Sequence, residues 1–345
     1  MTTLARHASP DPASLARWVD RFAGLRLAVW GDFVLDEYWR CRSNRVSREA
    51  PVLVLDWESR TMQAGGAANA ALNLAALGAR VSAVGWIGAD EAGRALRRML
   101  VEQGVRVAGL LRHDRAHTVI KTRVVAGDAH TARQQVVRID RGSRFGMTRT
   151  ERARLLAAVD RAAAGARGVV LSDYGYDSVS PTLAATRVPR WRRAGVHVSL
   201  DARYRLAQYR DVTLATPNEG EAAAAAGIEI RDEADLGRAA GRLRRLVHPE
   251  HLIVTRGRDG LTLWSARRAL SLEAWGREEA VDVTGAGDAV VAAATLALAA
   301  GAPALEAAAL ANVAGSVAVS RRGAVAVSRS EVLRALGQGG ARRPR

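Results

Sequence analysis

Asp282-Val283-Thr284-Gly285-Ala286-Gly287-Asp288 is followed at once by the small apolar run from Ala289 to Ala300 and a closing Gly301. Two glycines separated by one residue let backbone N–H groups converge on an anion, and the helix that begins there adds its positive dipole end. Asp288 then lies in the first helical turn, where it can accept the proton of an attacking hydroxyl while the loop holds a migrating phosphate. The bland alternative is an ordinary helix start, since Asp favours that position for dipole reasons alone. A dinucleotide turn is the third reading, because Gly285-x-Gly287-x-x-Val290 approaches that fingerprint and Glu306 lies downstream. Against it, Asp288 would face a pyrophosphate with like charge, and Glu306 sits in an alanine-rich helical stretch where a second strand is needed.

With 345 residues the chain can bury a large core. Its one cysteine, Cys41, excludes a disulfide framework and a thiolate metal cluster, which fits a reducing cytoplasm. The seven histidines show no metal-ligand spacing. No secretion signal is expected, because the N-terminal stretch carries Arg6, Asp11 and Arg17 and lacks an apolar core. A net charge of +16 raises nucleic-acid binding, but 50 of the 51 basic residues are arginines scattered without aromatic interleaving, so no specific nucleic acid is expected. The one lysine, Lys121, then stands out as a position where a compact, mobile ammonium is wanted.

Short apolar runs alternate with helical patterns, which predicts an α/β fold with a mostly parallel central sheet covered by helices on both faces. Leu27–Trp30, Val81–Gly85, Gly168–Leu171, His197–Leu200, Thr213–Ala215 and Leu252–Thr255 read as buried strands. The helices read as Ala67–Leu77, Ala92–Gln103, Glu151–Ala164, Pro181–Ala194, Glu219–Ala226, Glu233–Val247 and Leu305–Arg321. Asp32, Asp173, Asp201, Asn218 and Asp288 fall where strand ends meet helix starts, the usual place for ligands in such folds. Val52–Trp57 and the pair His117–Ala126 and Gln134–Asp140, joined by Gly127-Asp128-Ala129-His130, break the alternation and read as a small β lid over those ends.

Gly65-Gly66-Ala67-Ala68-Asn69 opens the first long helix, and Gly31-Asp32-Phe33-Val34-Leu35-Asp36 follows the first strand. Together with the aspartate loop these three motifs, in this order and spacing, resemble the ribokinase-like, or PfkB, family of carbohydrate kinases over residues 24–335. Arg45-Val46-Ser47-Arg48-Glu49-Ala50-Pro51-Val52 carries the resemblance further, and Lys121-Thr122-Arg123-Val124, Gln134 to Asp140 and Leu171-Ser172-Asp173-Tyr174 resemble in particular its kinases of D-glycero-D-manno-heptose 7-phosphate. The resemblance implies a ribokinase-like domain over 24–335, with a lid from about 37–60 and 115–141. An N-terminal extension with a helix would occupy 1–23, and a disordered tail 336–345.

It further implies ATP-dependent transfer to the anomeric hydroxyl, with Asp288 as base and the amides of Gly285, Ala286 and Gly287 as anion hole. An ordinary carboxyl near pKa 4 suffices, since the hydroxyl loses its proton late. Asp36, Gly65, Gly66 and Asn69 match the family's sugar contacts, with Asp173 as a further one. Lys121, Arg123, Arg138 and Arg203 are the candidate cations for the substrate's own phosphate. Asn218 and Glu221 match the Asn-x-x-Glu tied to Mg2+ and phosphate, through water. Thr255, Gly257 and Gly260 match the nucleotide-side loop, and Asn312 and Gly315 the adenine pocket. Asp282, Thr284 and Ser328 lie where relatives bind a monovalent cation, K+.

The chain departs from those relatives where Tyr176 replaces a common lysine and Asp201-Ala202-Arg203 replaces Asp-Pro-Lys. The alternatives are therefore a kinase of another sugar, sugar phosphate or nucleoside, or a non-catalytic sugar-binding relative. No His-x-Gly-His motif occurs, so a single-function kinase is expected. An exposed lid edge would favour a homodimer.

Overall fold

The computed structural model describes residues 4–6, 9–127, 133–265, 268–276 and 280–340. Val29, Val170 and Val198 lie in strands buried on both faces, so these runs are apolar throughout rather than alternating. They belong to a ten-stranded sheet in the order Leu4–Arg6, Arg268–Leu272, Leu261–Ser265, His251–Thr255, Leu214–Ala215, His197–Ala202, Gly168–Asp173, Arg26–Gly31, Arg80–Gly88, Arg106–His113. Only Leu261–Ser265 runs antiparallel, against both of its neighbours; every other pair is parallel. Helices cover both faces. On one, Ala67–Ala76, Ala286–Ala299 and Ala304–Val319 pack closely through their alanines; on the other, Trp30, Trp86 and Trp191 fill the larger gap.

A second, separate sheet of four strands has the order Leu53–Gly66, Phe33–Val46, Val119–Gly127, Gln134–Arg141. Phe33–Val46 pairs antiparallel with Leu53–Gly66 but parallel with Val119–Gly127, and Val119–Gly127 pairs antiparallel with Gln134–Arg141. The alternation of the 33–46 strand puts Asp36 and Glu37 on opposite faces. Glu37, 1 % exposed, ties all four strands together: it accepts from Arg60, from Thr122 Oγ1 at 2.5 Å and from Arg141 Nη2 at 2.7 Å. These partners hold its carboxyl below the ordinary range against the upward push of burial.

Three segments differ from expectation. The helix expected over Pro181–Ala194 is two helices, Pro181–Ala185 and Val188–Arg193; Pro189 lacks an N–H and so occupies the first turn of the second. The N-terminal residues carry a helix, as expected, and are packed onto the domain. Leu4–Arg6 joins the edge of the main sheet, and the helix Pro12–Asp20 buries Leu15 and Val19 in the main core. The last helix, Arg329–Gly340, continues through residues expected to be a disordered tail; 341–345 lie outside the described residues, as do 128–130 of the expected hairpin turn. No described helix is long and apolar enough to cross a membrane.

Candidate active site

A cavity of about 920 Å³ opens between the C-terminal ends of the parallel strands and the inner face of the small sheet. Asp36, Gly66, Lys121, Arg123, Arg138, Asp201, Arg203, Asn218, Glu221, Thr284 and the loop 285–288 all line it. Thr255, Gly257, Gly260, Asn312 and Gly315 line it as well. Strand ends and helix starts deliver most of these groups, as the α/β topology requires.

Asp288 sits in the first turn of the helix Ala286–Ala299, whose N-cap is Gly285 at φ +79°. A Cβ on Gly285 would come within 2.6 Å of Asn69 Nδ2, so a glycine is needed for both its conformation and its closeness. The N–H groups of Gly285, Gly287 and Asp288 have no protein acceptor among the described residues, whereas that of Ala286 donates to the Val283 carbonyl at 3.3 Å. The anion hole expected from three amides thus has Ala286 partly committed within its own loop.

The Asp288 carboxylate is 4 % exposed and receives two side-chain donors. Asn69 Nδ2 donates to Oδ2 at 2.7 Å and the Tyr174 hydroxyl donates to Oδ1 at 3.4 Å. Burial pushes its pKa up to about 7, rather than the ordinary value expected from sequence; the nearby charge of Asp36 adds to the rise, while Asn69, Tyr174 and Lys121 oppose it. Asn69 is itself held. Its Oδ1 accepts from Asn73 Nδ2 at 3.1 Å, and Asn73 Oδ1 accepts from the Val327 N–H at 2.9 Å. Asn69 and Asn73 are one helical turn apart in the helix Ala67–Ala76, so the C-terminal segment reaches the candidate base through two amides.

On the acceptor side, Arg123 Nη1 donates to Asp36 Oδ1 at 2.6 Å, and Arg138 forms a double hydrogen bond with Asp140 at 2.8 and 3.0 Å. Gly65 stands behind Asp36, where a Cβ would overlap that carboxylate. The Lys121 ammonium lies 4.9 Å from the Tyr174 ring centroid, and burial lowers its pKa.

Asp173 does not line the cavity, and neither do Gly65, Asn69, Asp282 and Ser328; what separates Asp173 from its expected role as a sugar contact is that its oxygens are already claimed. It is 1 % exposed and its oxygens are taken by Arg205, by Tyr209 Oη at 2.6 Å and by the Gly175 N–H at 2.9 Å. Asp32, also buried, accepts the N–H groups of Tyr174, Tyr176 and Ser178, each at 2.9 Å, and so fixes the 174–178 loop. Burial pushes it up to about 7 although those amides favour its charged form.

At the nucleotide end, Asn218 and Glu221 form a capping box: Asn218 Oδ1 accepts from the Glu221 N–H at 2.8 Å, and Glu221 Oε2 accepts from the Asn218 N–H at 3.1 Å. Burial raises Glu221, and burial together with the charges of Asp288 and Glu221 raises Asp201 well above the ordinary range. Carboxylates that destabilise one another in this way suit a bound cation. Thr216, 4 % exposed, has a hydroxyl without a hydrogen-bond partner among the described residues on the same wall. Asn312 Nδ2 donates to the Glu273 carbonyl at 2.6 Å. Asp282 accepts from the Thr284 and Gly323 N–H groups at 2.9 and 2.8 Å, and Ser328 Oγ donates to Glu331 Oε2 at 2.5 Å in a capping contact.

Sequence reasoning missed Tyr174, Asn73 and Thr216 as site residues. For Asn73 a signal existed, since two asparagines at i and i+4 are conspicuous in an alanine-rich helix.

The family model described as pfkB family carbohydrate kinase matches residues 26–331. Among curated proteins, the bifunctional protein HldE of Geobacter metallireducens is 40 % identical over 310 residues, covering 90 % of this chain and 62 % of that protein. HldE of Trichlorobacter lovleyi is 37 % identical over 317 residues, covering 92 % and 64 %. The chain thus spans less than two thirds of the length of these relatives. Among solved structures, Arabidopsis thaliana ribokinase complexed with ribose and ATP superposes with a TM-score of 0.71 at 21 % identity, covering 91 % of this chain and 99 % of that one. Escherichia coli phosphofructokinase-2 in complex with fructose-6-phosphate gives 0.75 at 20 % identity, covering 91 % and 99 %.

Proposed function

We propose that this chain, which belongs to the pfkB family of carbohydrate kinases, transfers the γ-phosphoryl group of ATP to the anomeric hydroxyl of D-glycero-D-manno-heptose 7-phosphate, giving the 1,7-bisphosphate. The observation that carries the chemistry is Asp288, a buried carboxylate oriented by Asn69 and Tyr174 in the same turn as the open N–H groups of Gly285 and Gly287. The hydroxyl oxygen attacks phosphorus, its proton passes to Asp288, and the amides stabilise charge on the transferring group. With its pKa near 7 roughly half of the carboxyl is ionised at neutral pH, and that fraction is basic enough to take the proton.

Asp36 and the remaining Asn69 N–H would orient the sugar, and Lys121 and Arg203 would meet its phosphate. Mg2+ entering with ATP would neutralise phosphate oxygens, held through water by Asn218 and Glu221 beside Asp201. A monovalent cation would fall to Asp282 and Thr284, because the Ser328 hydroxyl is committed to Glu331. Heptose as the sugar is supported by the motifs on the small sheet and by 36–40 % identity to proteins named HldE. A homodimer through the small sheet fits its exposed apolar side chains Val46, Trp57, Val137 and Ile139. Sedimentation of Trp57→Glu against the parent tests it; a parent that sediments as a monomer at micromolar concentration rules it out.

The deciding experiment is ADP release by purified protein with heptose 7-phosphate, ribose, fructose and fructose 6-phosphate. Heptose 7-phosphate should be preferred by orders of magnitude, and Asp288→Asn should bind nucleotide while losing about a thousandfold or more in turnover. A preference for another panel member would favour the second reading, a kinase of a different sugar phosphate. Tyr176, standing where related kinases have lysine, is the residue that favours that reading.

A further inference from the structure

We propose that Tyr174 is a positioning residue for Asp288 and, through the face of the same ring, the seat of Lys121, so that one side chain couples the proton acceptor to the acceptor-phosphate cation. This rests on the assignment of Asp288 as the base.

Four contacts fix the side chain. Its hydroxyl points at Asp288 Oδ1, 3.4 Å away, on the carboxylate oxygen that Asn69 leaves open. Lys121 Nζ stands 4.9 Å from the ring centroid, within cation–π range. The ring edge lies against Gly66: a Cβ there would come within 3.3 Å of ring carbons, and Gly66 holds φ +54°. Asp32 anchors the backbone by accepting the Tyr174 N–H at 2.9 Å and two further N–H groups of the same loop. The ring therefore cannot swing away without breaking a buried cluster.

The consequence is chemical. Burial and the charges of Asp288, Asp201 and Glu221 hold the phenol well above its ordinary pKa, so it remains a donor throughout turnover. With Asn69 on Oδ2 and Tyr174 on Oδ1, each carboxylate oxygen keeps a lone pair, and the carboxyl plane is set for the incoming hydroxyl. Lys121 forms no ion pair among the described residues, so the ring, with the more distant charge of Asp36, holds its ammonium over the cavity.

The test is kinetic and uses the full chain. Tyr174→Phe keeps the ring and removes the hydroxyl: kcat should fall about tenfold, with KM for ATP and for sugar phosphate within about twofold of the parent. Tyr174→Leu should lose a similar factor in kcat and also raise KM for the sugar phosphate about tenfold, with nucleotide affinity unchanged as the check on folding. In an Asp288→Asn background, read by single-turnover measurement, Tyr174→Phe should have no further effect, because the hydroxyl acts only through that carboxylate. A merely structural role would lower both backgrounds by the same factor and would overturn the proposal, as would a parent-like kcat in Tyr174→Phe. If Asp288→Asn itself keeps full turnover, the base assignment falls and takes this inference with it. Impaired Asp288→Asn with unimpaired Tyr174→Phe removes the inference alone.

Discussion

Asp288→Asn should make the ligand-free protein more stable while removing most of its turnover. Burial raises the Asp288 carboxyl from 3.8 to about 7, whereas in the unfolded chain it titrates at its ordinary value. Between those two values the unfolded state has released the proton and the folded state still binds it, so stability falls as pH rises through the window and stays lowered above it. For one group with these two pKa values the linkage integral is about 4 kcal/mol at pH 8 and about 1.7 kcal/mol at pH 5. Asparagine carries none of it. The advantage of Asp288→Asn over the parent should therefore grow by about 2–3 kcal/mol between pH 5 and pH 8.

Neighbouring groups reinforce the sign. Asp201 is raised partly by the charge of Asp288, so removing that charge relieves a second buried carboxyl. The Asn69 donor keeps an acceptor in the new amide oxygen, and the new amide N–H faces the Tyr174 hydroxyl oxygen, which can accept from it. Urea unfolding of both proteins without nucleotide at pH 5 and pH 8, followed by tryptophan fluorescence, measures the difference directly. An advantage that is independent of pH, or smaller at pH 8, would refute the reasoning.

Glu37→Gln should loosen the small sheet without unfolding the large one. It removes the charge facing Arg60 and Arg141 from a carboxylate that is 1 % exposed, at a cost of about 3 kcal/mol confined to the four strands it ties together. Hydrogen exchange should then lose protection in Phe33–Val46 and Val119–Gly127 while Arg26–Gly31 and Gly168–Asp173 keep theirs. Uniform loss across both sheets would contradict a local role.

The central parallel sheet was legible because its strands are apolar on both faces and short, a pattern that few other elements share. Arg106–His113 was not, since at the sheet edge its exposed positions take Arg106 and Arg112 and the run no longer looks buried. Leu261–Ser265 and Arg268–Leu272 escaped for a similar reason: they extend the sheet by antiparallel pairing that depends on a partner, not on their own composition. Phe33–Val46 announced itself through Asp36 but hid its length, because Arg40, Arg42 and Arg45 are exposed and break the apolar run, while Glu37 is buried only by partners on the three other strands. In the site, residues whose type declares their chemistry were found, Asp288 first. Residues that act on other residues were not: Asn73 and Tyr174 owe their roles to groups more than 100 positions away in sequence or across a helix turn, and Asp32 and Asp173 looked like ligand residues until the 174–178 amides and Arg205 were seen to claim them.

Charge balance narrows what the acceptor end can bind. Of its four candidate cations, Arg123 is already compensated by Asp36 and Arg138 by Asp140, so both pairs enter the cavity close to neutral. Lys121 and Arg203 form no ion pair among the described residues, and each rests against an aromatic ring, Tyr174 at 4.9 Å and Tyr204 at 6.0 Å. A surplus of two cations matches one phosphate dianion. Asp36 and Glu221 act on these two cations only from beyond ion-pair distance, so on the proposed reading the phosphate of the sugar would be their direct partner.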